Sequence, residues 1–200
     1  FFLRFRRHPW STLFPYTTLF RSVLNGNSAA YGGAINNYAG SSLVATNSLV
    51  INNVALVNGG AIHNHSAFLS LIGCTVADNT AGTSGDGIRY NLGHSVYINS
   101  CIFRNGGDEM SGVPAGSVLY SNIQGGFAGA GNIDADPLFV SPSADNYRLS
   151  ADSLCIDSAD SGVLDATDLD GNARVDDPDS PNNGVGAFPY YDMGCFEFIP

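Results

Sequence analysis

Apolar, mostly β-branched residues return along this chain at a nearly fixed interval, with glycine-rich steps before them and polar residues between. Ile35, Ile62 and Ile88 are spaced 27 and 26 residues apart, and Val50, Val76 and Ile102 are 26 apart at both steps. Asn53, Asn79 and Asn105 keep the same 26-residue interval. Each copy opens on GGAI at 32–35, GGAI at 59–62 or GDGI at 85–88, and ends on an apolar-x-x-Asn step, VINN at 50–53, VADN at 76–79 or IFRN at 102–105. The first copy is one residue longer. The glycine-serine turn from Ala39 to Ser42 is where an extra residue disturbs no ladder.

Helix fits these copies poorly, because Gly, Asn, Ser and Thr are dense and no 3.6-residue apolar stripe lasts three turns. Short strands fit. About 26 residues accommodate three strands of about five residues with their turns, and successive circuits then pair in parallel about 4.8 Å apart. A unit this small cannot bury its own apolar face, so copies must stack into a parallel β-helix. Its inward ladders are expected to be Ile35/Ile62/Ile88 and Val50/Val76/Ile102. The asparagines are expected to form a third ladder at a sharp, left-handed turn. Ile62 and Val76 should be buried, with His63 and Asn64 nearer solvent or turns.

The pairing of GGAI with a later apolar-x-x-Asn resembles the polymorphic outer-membrane protein repeat of right-handed β-helices, of pectin-lyase-like fold, with Val50, Val76 or Ile102 where that repeat has Phe. PLFVSP at 137–142, YRLSADSLCIDSAD at 147–160, TDLDGNAR at 167–174 and DMGCFEF at 192–198 resemble the closing module of bacterial surface β-helix proteins called choice-of-anchor Q. Together the resemblances span about residues 25–198. They imply an all-β, right-handed parallel β-helix that is exported, either secreted or held at the cell surface, and they imply no reaction. Coils are expected over 23–132 and the closing module over 133–200, with the glycine-rich stretch 107–132 at their junction. An open β-helix end exposes unpaired backbone and apolar rungs. Leu138, Phe139, Leu149, Ile156 and Phe196 are therefore expected to bury themselves against the last coil and keep the rod monomeric.

Charge narrows the partners. The 200 residues include no lysine, and 18 acids face 8 arginines for a net charge of −10, which disfavours nucleic acid and anionic membranes. Fourteen of the acids lie from Asp134 onward. No run of eighteen apolar residues is present to span a membrane. Residues 1–22 stand apart, with four of the arginines, the only tryptophan and no acid. TLFPYTTLFRS at 12–22 is what a common sequencing-adapter oligonucleotide encodes in frame, so residues 1–22 are read as non-native and expected to stay unpacked. Without them the net charge is −14.

Candidate chemistry is sparse. His63 and His65 are one pleat apart and face the same way, as two imidazoles on a metal would, but coil alignment also stacks His63 between Asn36 and Arg89, and His65 between Tyr38 and Asn91, as a polar outward ladder. A β-helix lyase or glycosidase is the competing enzymatic class; the coil faces offer it Asp78, stacked between Asn52 and Arg104, and Asp86 near Arg89, and no two acids are expected to stack across adjacent coils. Asp168, Asp170, Asn172 and Asp176 are the densest oxygen donors, arranged either to hold calcium or as a tight acidic turn whose carboxylates cap backbone amides. No cofactor is otherwise required. Alignment sets Cys74 opposite Ser100 and Cys101 opposite Thr75, on opposite faces, while Cys155 and Cys195 of the closing module are a possible pair. The function expected is a non-catalytic scaffold or adhesin that presents outward Asn, Tyr, His and Arg ladders to glycans or proteins.

Overall fold

The computed structural model describes residues 16–92 and 94–200. Residues 16–123 wind into a parallel β-solenoid of about four turns. The first three circuits contribute four short strands each, rather than the expected three. Sheet A stacks Tyr16–Phe20, Ser42–Thr46, Phe68–Ile72, Val96–Asn99 and Val118–Leu119. Sheet B stacks Val23–Asn25, Leu49–Ile51, Thr75–Ala77, Ile102–Arg104 and Asn122–Ile123. Sheet C holds Ser28–Tyr31, Val54–Asn58 and Thr80–Ala81, and sheet D holds Ile35–Asn37, Ile62–His65, Ile88–Asn91 and Met110–Ser111. Tight corners make room for the fourth strand. The glycine pair before sheet D is one such corner: Gly59 has φ +69°, and a Cβ on Gly60 would lie 2.3 Å from the Asp86 carbonyl oxygen of the next coil.

The isoleucine ladder forms as expected, Ile35 pairing Ile62 and Ile62 pairing Ile88. The extra residue of the first copy falls between Asn37 and Ser42, where the register against the next coil changes by one. The valine ladder takes a different last member, since Val50 and Val76 continue to Phe103 and Ile102 pairs Thr75. One residue is added between Asn91 and Val96, and one is lost before Asn105, whose side chain still meets Asn79. The two changes cancel in the asparagine spacing and hide a one-residue slip of the strand between them. A slip of one reverses every side chain in a strand. Phe103 therefore points inward, Ile102 outward, Ala77 rather than Asp78 faces Arg104, and Cys74 lies opposite Cys101 instead of Ser100.

Asparagine side chains run through the solenoid wall as a polar file. The amide and Nδ2 of Asn27 both donate to Asn53 Oδ1 at 2.9 Å; those of Asn53 donate to Asn79 Oδ1 at 2.9 and 2.8 Å; those of Asn79 donate to Asn105 Oδ1 at the same two distances. The left-handed residue of this corner is not the ladder asparagine but the one before it, Asn52 (φ 55°) or Asp78 (φ 53°). Asn105 in turn donates from its amide and Nδ2 to the two carboxylate oxygens of buried Glu109, at 2.7 and 2.6 Å. A second, shorter file corrects the expectation for Asn64, which is fully buried and accepts from Asn37 Nδ2 at 2.5 Å.

Past Glu109 the coil contracts. The pairing interval falls from 26 residues to 22 at Ile88/Met110 and 20 at Ile98/Val118, and Asn122 bridges Ile133 only eleven residues on. Phe127 folds onto the core there. The end is thus covered by the chain's own glycine-rich taper. The closing module lies instead along the side of the rod, on the outer face of sheet B. Leu49, Ile51 and Ala77 pack with Tyr147, Cys195 and Phe196, and Ile102 packs with Leu149, Cys155, Ile156 and Met193. Leu149, Ile156 and Phe196 are buried as expected, but Phe139 is half-buried and Leu138 is 38% exposed. Strands buried on both faces read as unbroken apolar runs, and LVI at 49–51 is such a run.

Residues 16–22 depart from the expectation set for 1–22, whose first fifteen lie outside the described residues. Tyr16–Phe20 pairs Ser42–Thr46 over five residues, and Leu19 reaches the core, while Tyr16 and Phe20 stay exposed. An unpaired sheet edge accepts an extended segment through backbone bonds, with little demand on its side chains.

Two outcomes test this architecture. Asn79→Ala removes the acceptor for two donors of Asn53 in the solenoid wall, at about 1–3 kcal/mol for each group left bare, so the urea midpoint should drop sharply with an unchanged slope; an unchanged midpoint would show that the file carries no stability. Truncation after Ile133 uncovers Leu49, Ile51 and Ile102 and should give aggregates by light scattering that Ile51→Asp with Ile102→Asp suppresses. Aggregation unaffected by the double change would place the exposed surface elsewhere.

Candidate functional site

The predicted outward ladder on sheet D is present in the predicted register. Asn36, His63, Arg89 and Ser111 are successive rungs, and Asn91 pairs His65 one pleat away. The Tyr38 ring stacks on the His65 ring at 4.8 Å and 11°, and Tyr31 tilts onto His63 at 5.3 Å. That cover leaves His63 buried rather than near solvent. His63 Nδ1 lies 3.1 Å from Asn36 Oδ1 and its Nε2 lies 3.3 Å from Asn91 Nδ2, so amide partners assign a neutral ring with hydrogen on Nδ1. Burial, with His65 and Arg89 nearby, pushes its pKa down and favours that neutral form. Both nitrogens are engaged along the rod axis, which leaves neither directed at a metal shared with His65. Arg89 Nη1 donates to Ser111 Oγ at 2.6 Å. Tyr31 and Tyr38, 43% and 52% exposed, complete a wet aromatic surface with amide and imidazole groups between them. Tyr31 comes from sheet C and had no place in the coil alignment.

The carboxylates considered for catalysis are each engaged. Tyr147 Oη donates to Asp78 Oδ2 at 2.6 Å, and burial together with that carboxylate pushes the tyrosine pKa up. Asp86 accepts the amides of Ala81 at 2.7 Å and Asp108 at 3.2 Å. Asp78, Arg104, Asp136 and Phe139 border a cleft of about 320 Å³ where the closing module meets sheet B. Arg104 lies 3.7 Å from Asp134 there.

The four oxygen donors proposed for calcium have separate roles. Asp168 is buried and accepts the amides of Asn172 at 2.8 Å and Glu197 at 3.2 Å, with Asn172 Nδ2 at 3.3 Å. Asp170 pairs with Arg148, and Asp176 keeps one buried oxygen without a donor. Among the described residues, no three His, Cys, Asp or Glu side chains converge as a metal cage. No local pattern in the sequence signals what lies beneath this turn. Arg174 and Glu197 form an ion pair at 2.7 Å with both side chains fully buried, and the second guanidinium nitrogen reaches Asn47 Oδ1 and the Gly194 carbonyl, tying the module to the rod. Burial pushes Glu197 up to about 7 even beside Arg174, and burial with Glu197 nearby pushes Asp192 well up.

All four thiols are free and buried. The Cys74 amide lies 3.4 Å from Cys101 Sγ, while Cys155 and Cys195 sit in separate apolar clusters, unbridged.

No protein-family model matches this chain, and no curated protein or solved structure matches it either.

The buried carboxyls set a direction for pH. Glu197 and Asp192 hold protons more tightly folded than unfolded, so their contribution is full below about pH 4, the unfolded carboxyl range; that of Glu197 is lost as pH rises through about 7, and that of Asp192 as pH rises through its own raised value. Thermal melts should therefore show higher stability at pH 5 than at pH 8; a melting temperature that rose over that interval would contradict the assignment.

Proposed function

We propose that this chain is a non-catalytic β-helix scaffold or adhesin, secreted or displayed at a bacterial cell surface, that binds glycans on the outer face of sheet D. The stacked Tyr38/His65 pair carries the reading, with Tyr31 and Asn36 beside it. A flat, partly exposed aromatic ring offers apolar area to the C–H face of a sugar at small entropic cost, and neighbouring amide and imidazole groups offer hydrogen bonds to its hydroxyls. A rigid solenoid repeats such positions every 26 or 27 residues along one face, which suits an extended polymer. The acidic net charge supports neutral or basic ligands over anionic ones. The GGAI…Asn repeats and the blocks at 137–142, 147–160, 167–174 and 192–198 support assignment to polymorphic outer-membrane protein-like coils with a choice-of-anchor Q-like module, and with it the exported location. Monomeric rods with a covered end and flank fit display.

The test is titration of a panel of neutral and amino-sugar polysaccharides. Tyr38→Ala should weaken binding about five- to tenfold, the scale of one lost aromatic contact worth about 1–1.5 kcal/mol, without lowering the melting temperature. Equal binding by the variant would move the site off sheet D, and release of reducing ends or unsaturated products by the wild type would overturn the non-catalytic reading.

A further inference from the structure

Two carboxylates in the closing module are left in a condition that the chain itself does not relieve. Asp157 is completely buried, and its Oδ1 has no hydrogen-bond donor. Its Oδ2 accepts only the amide of Asp177, at 3.1 Å. The residue bonded to that amide is Asp176, whose own Oδ1 is likewise buried and without a donor. The peptide joining 176 to 177 therefore sits directly against the Asp157 carboxylate, and the charged groups acting on Asp157 are Asp176 and Asp177. Asp177 is already engaged with the Asp179 amide at 3.2 Å and the Ser180 hydroxyl at 2.8 Å.

Among the described residues no cation pairs with them. There is no lysine. Arg174, the buried arginine nearby in sequence, pairs with Glu197 and makes no ion pair with Asp157 or Asp176, although its Nε also lacks a partner. Burying adjacent carboxylates with bare oxygens is costly unless a cation or a proton lies between them. Burial pushes Asp157 up to about 6, with the like charges of Asp176 and Asp177 adding to it, so this corner of the module disfavours bare negative charge.

We propose that Asp157 and Asp176 bind a calcium ion between their unpartnered oxygens, with backbone carbonyls and water completing its shell. The donors are all hard oxygens, with irregular backbone around them, and calcium accepts six to eight such ligands in loose geometry where magnesium demands a near-octahedral set. Asp176 is partly exposed, which places the site close to the protein surface. With two side-chain carboxylates the site belongs with the weak extracellular class, Kd about 10⁻⁴–10⁻³ M. Of the donors picked out by spacing, Asp176 alone belongs to it. Its partner, Asp157, lies nineteen residues earlier in a segment that carried no metal signature.

The experiment is thermal unfolding of the full chain in EDTA and in 5 mM calcium chloride, with calorimetric titration of calcium into the native protein. Preferential binding to the folded state should raise the melting temperature by about 3–5 °C, with one ion per chain. Asp176→Asn, at a half-exposed position that leaves the fold intact, should abolish the calcium response while keeping or raising the melting temperature in EDTA, because it removes a repulsion. Asp157→Asn should do the same, and Asp170→Asn, at the Arg148 pair, should respond like the wild type. Absence of heat and of a shift in the wild type, or a calcium response that survives Asp176→Asn, would overturn the proposal; stabilisation by acid alone, with no calcium effect, would show a shared proton in place of the ion.

Discussion

The register between successive coils depends on one file of side chains, the asparagines at 27, 53, 79 and 105. Parallel strands of three to five residues are too short to fix their own alignment, and each coil's apolar rungs would pack nearly as well after a slip of two. A side-chain amide that takes both donors of the asparagine one coil earlier admits a single alignment. The file is directional, donors pointing toward the C-terminal end, so its last member needs an acceptor with no proton of its own. Glu109 supplies two oxygens. Burial pushes its pKa up while the bonds from Asn105 oppose the shift, so the carboxylate is held in place by the donors it terminates.

The second constraint is the two-faced character of sheet B. Its strands bury Val50, Val76 and Phe103 inside the solenoid and present Leu49, Ile51, Ala77 and Ile102 outside. That outer stripe decides where the C-terminal third goes. Contacts run from Arg21, which donates to the Leu169 carbonyl, through Asn47 and Arg174, to Asn122, which donates to Cys155 Sγ. A module fixed at so many levels splints the rod lengthwise, and it leaves sheet D, on another face, open.

What could be read from sequence followed from what repeats. Ile35/Ile62/Ile88, the Asn53 file, the sheet D ladder and the position of the extra residue in the first copy are all set by spacing and were legible. Phe103 was not, because an insertion before Val96 and a deletion before Asn105 leave the overall interval unchanged while shifting the strand between them. Asn27 was missed because its copy has no GGAI in front of it, and Asn64 because a buried amide and an exposed one look alike without their partners. The flank docking had a signal, the unbroken LVI run at 49–51, which alternation alone would not produce. The charged cluster beneath the acidic turn had none: Asp157, Arg174, Asp192 and Glu197 meet through loop geometry that no local pattern encodes.

Native-state hydrogen exchange tests the central claim most directly. If the asparagine file locks the coils as one cooperative unit, the amides of Asn53, Asn79 and Asn105, which donate to side chains rather than to a strand ladder, exchange with one common free energy, close to that of global unfolding. Their protection should match that of Ile62 and Ile88 in sheet D. Independent and much faster exchange at these three amides, with the strand amides still protected, would show that the coils hold their register without the file and would contradict the account.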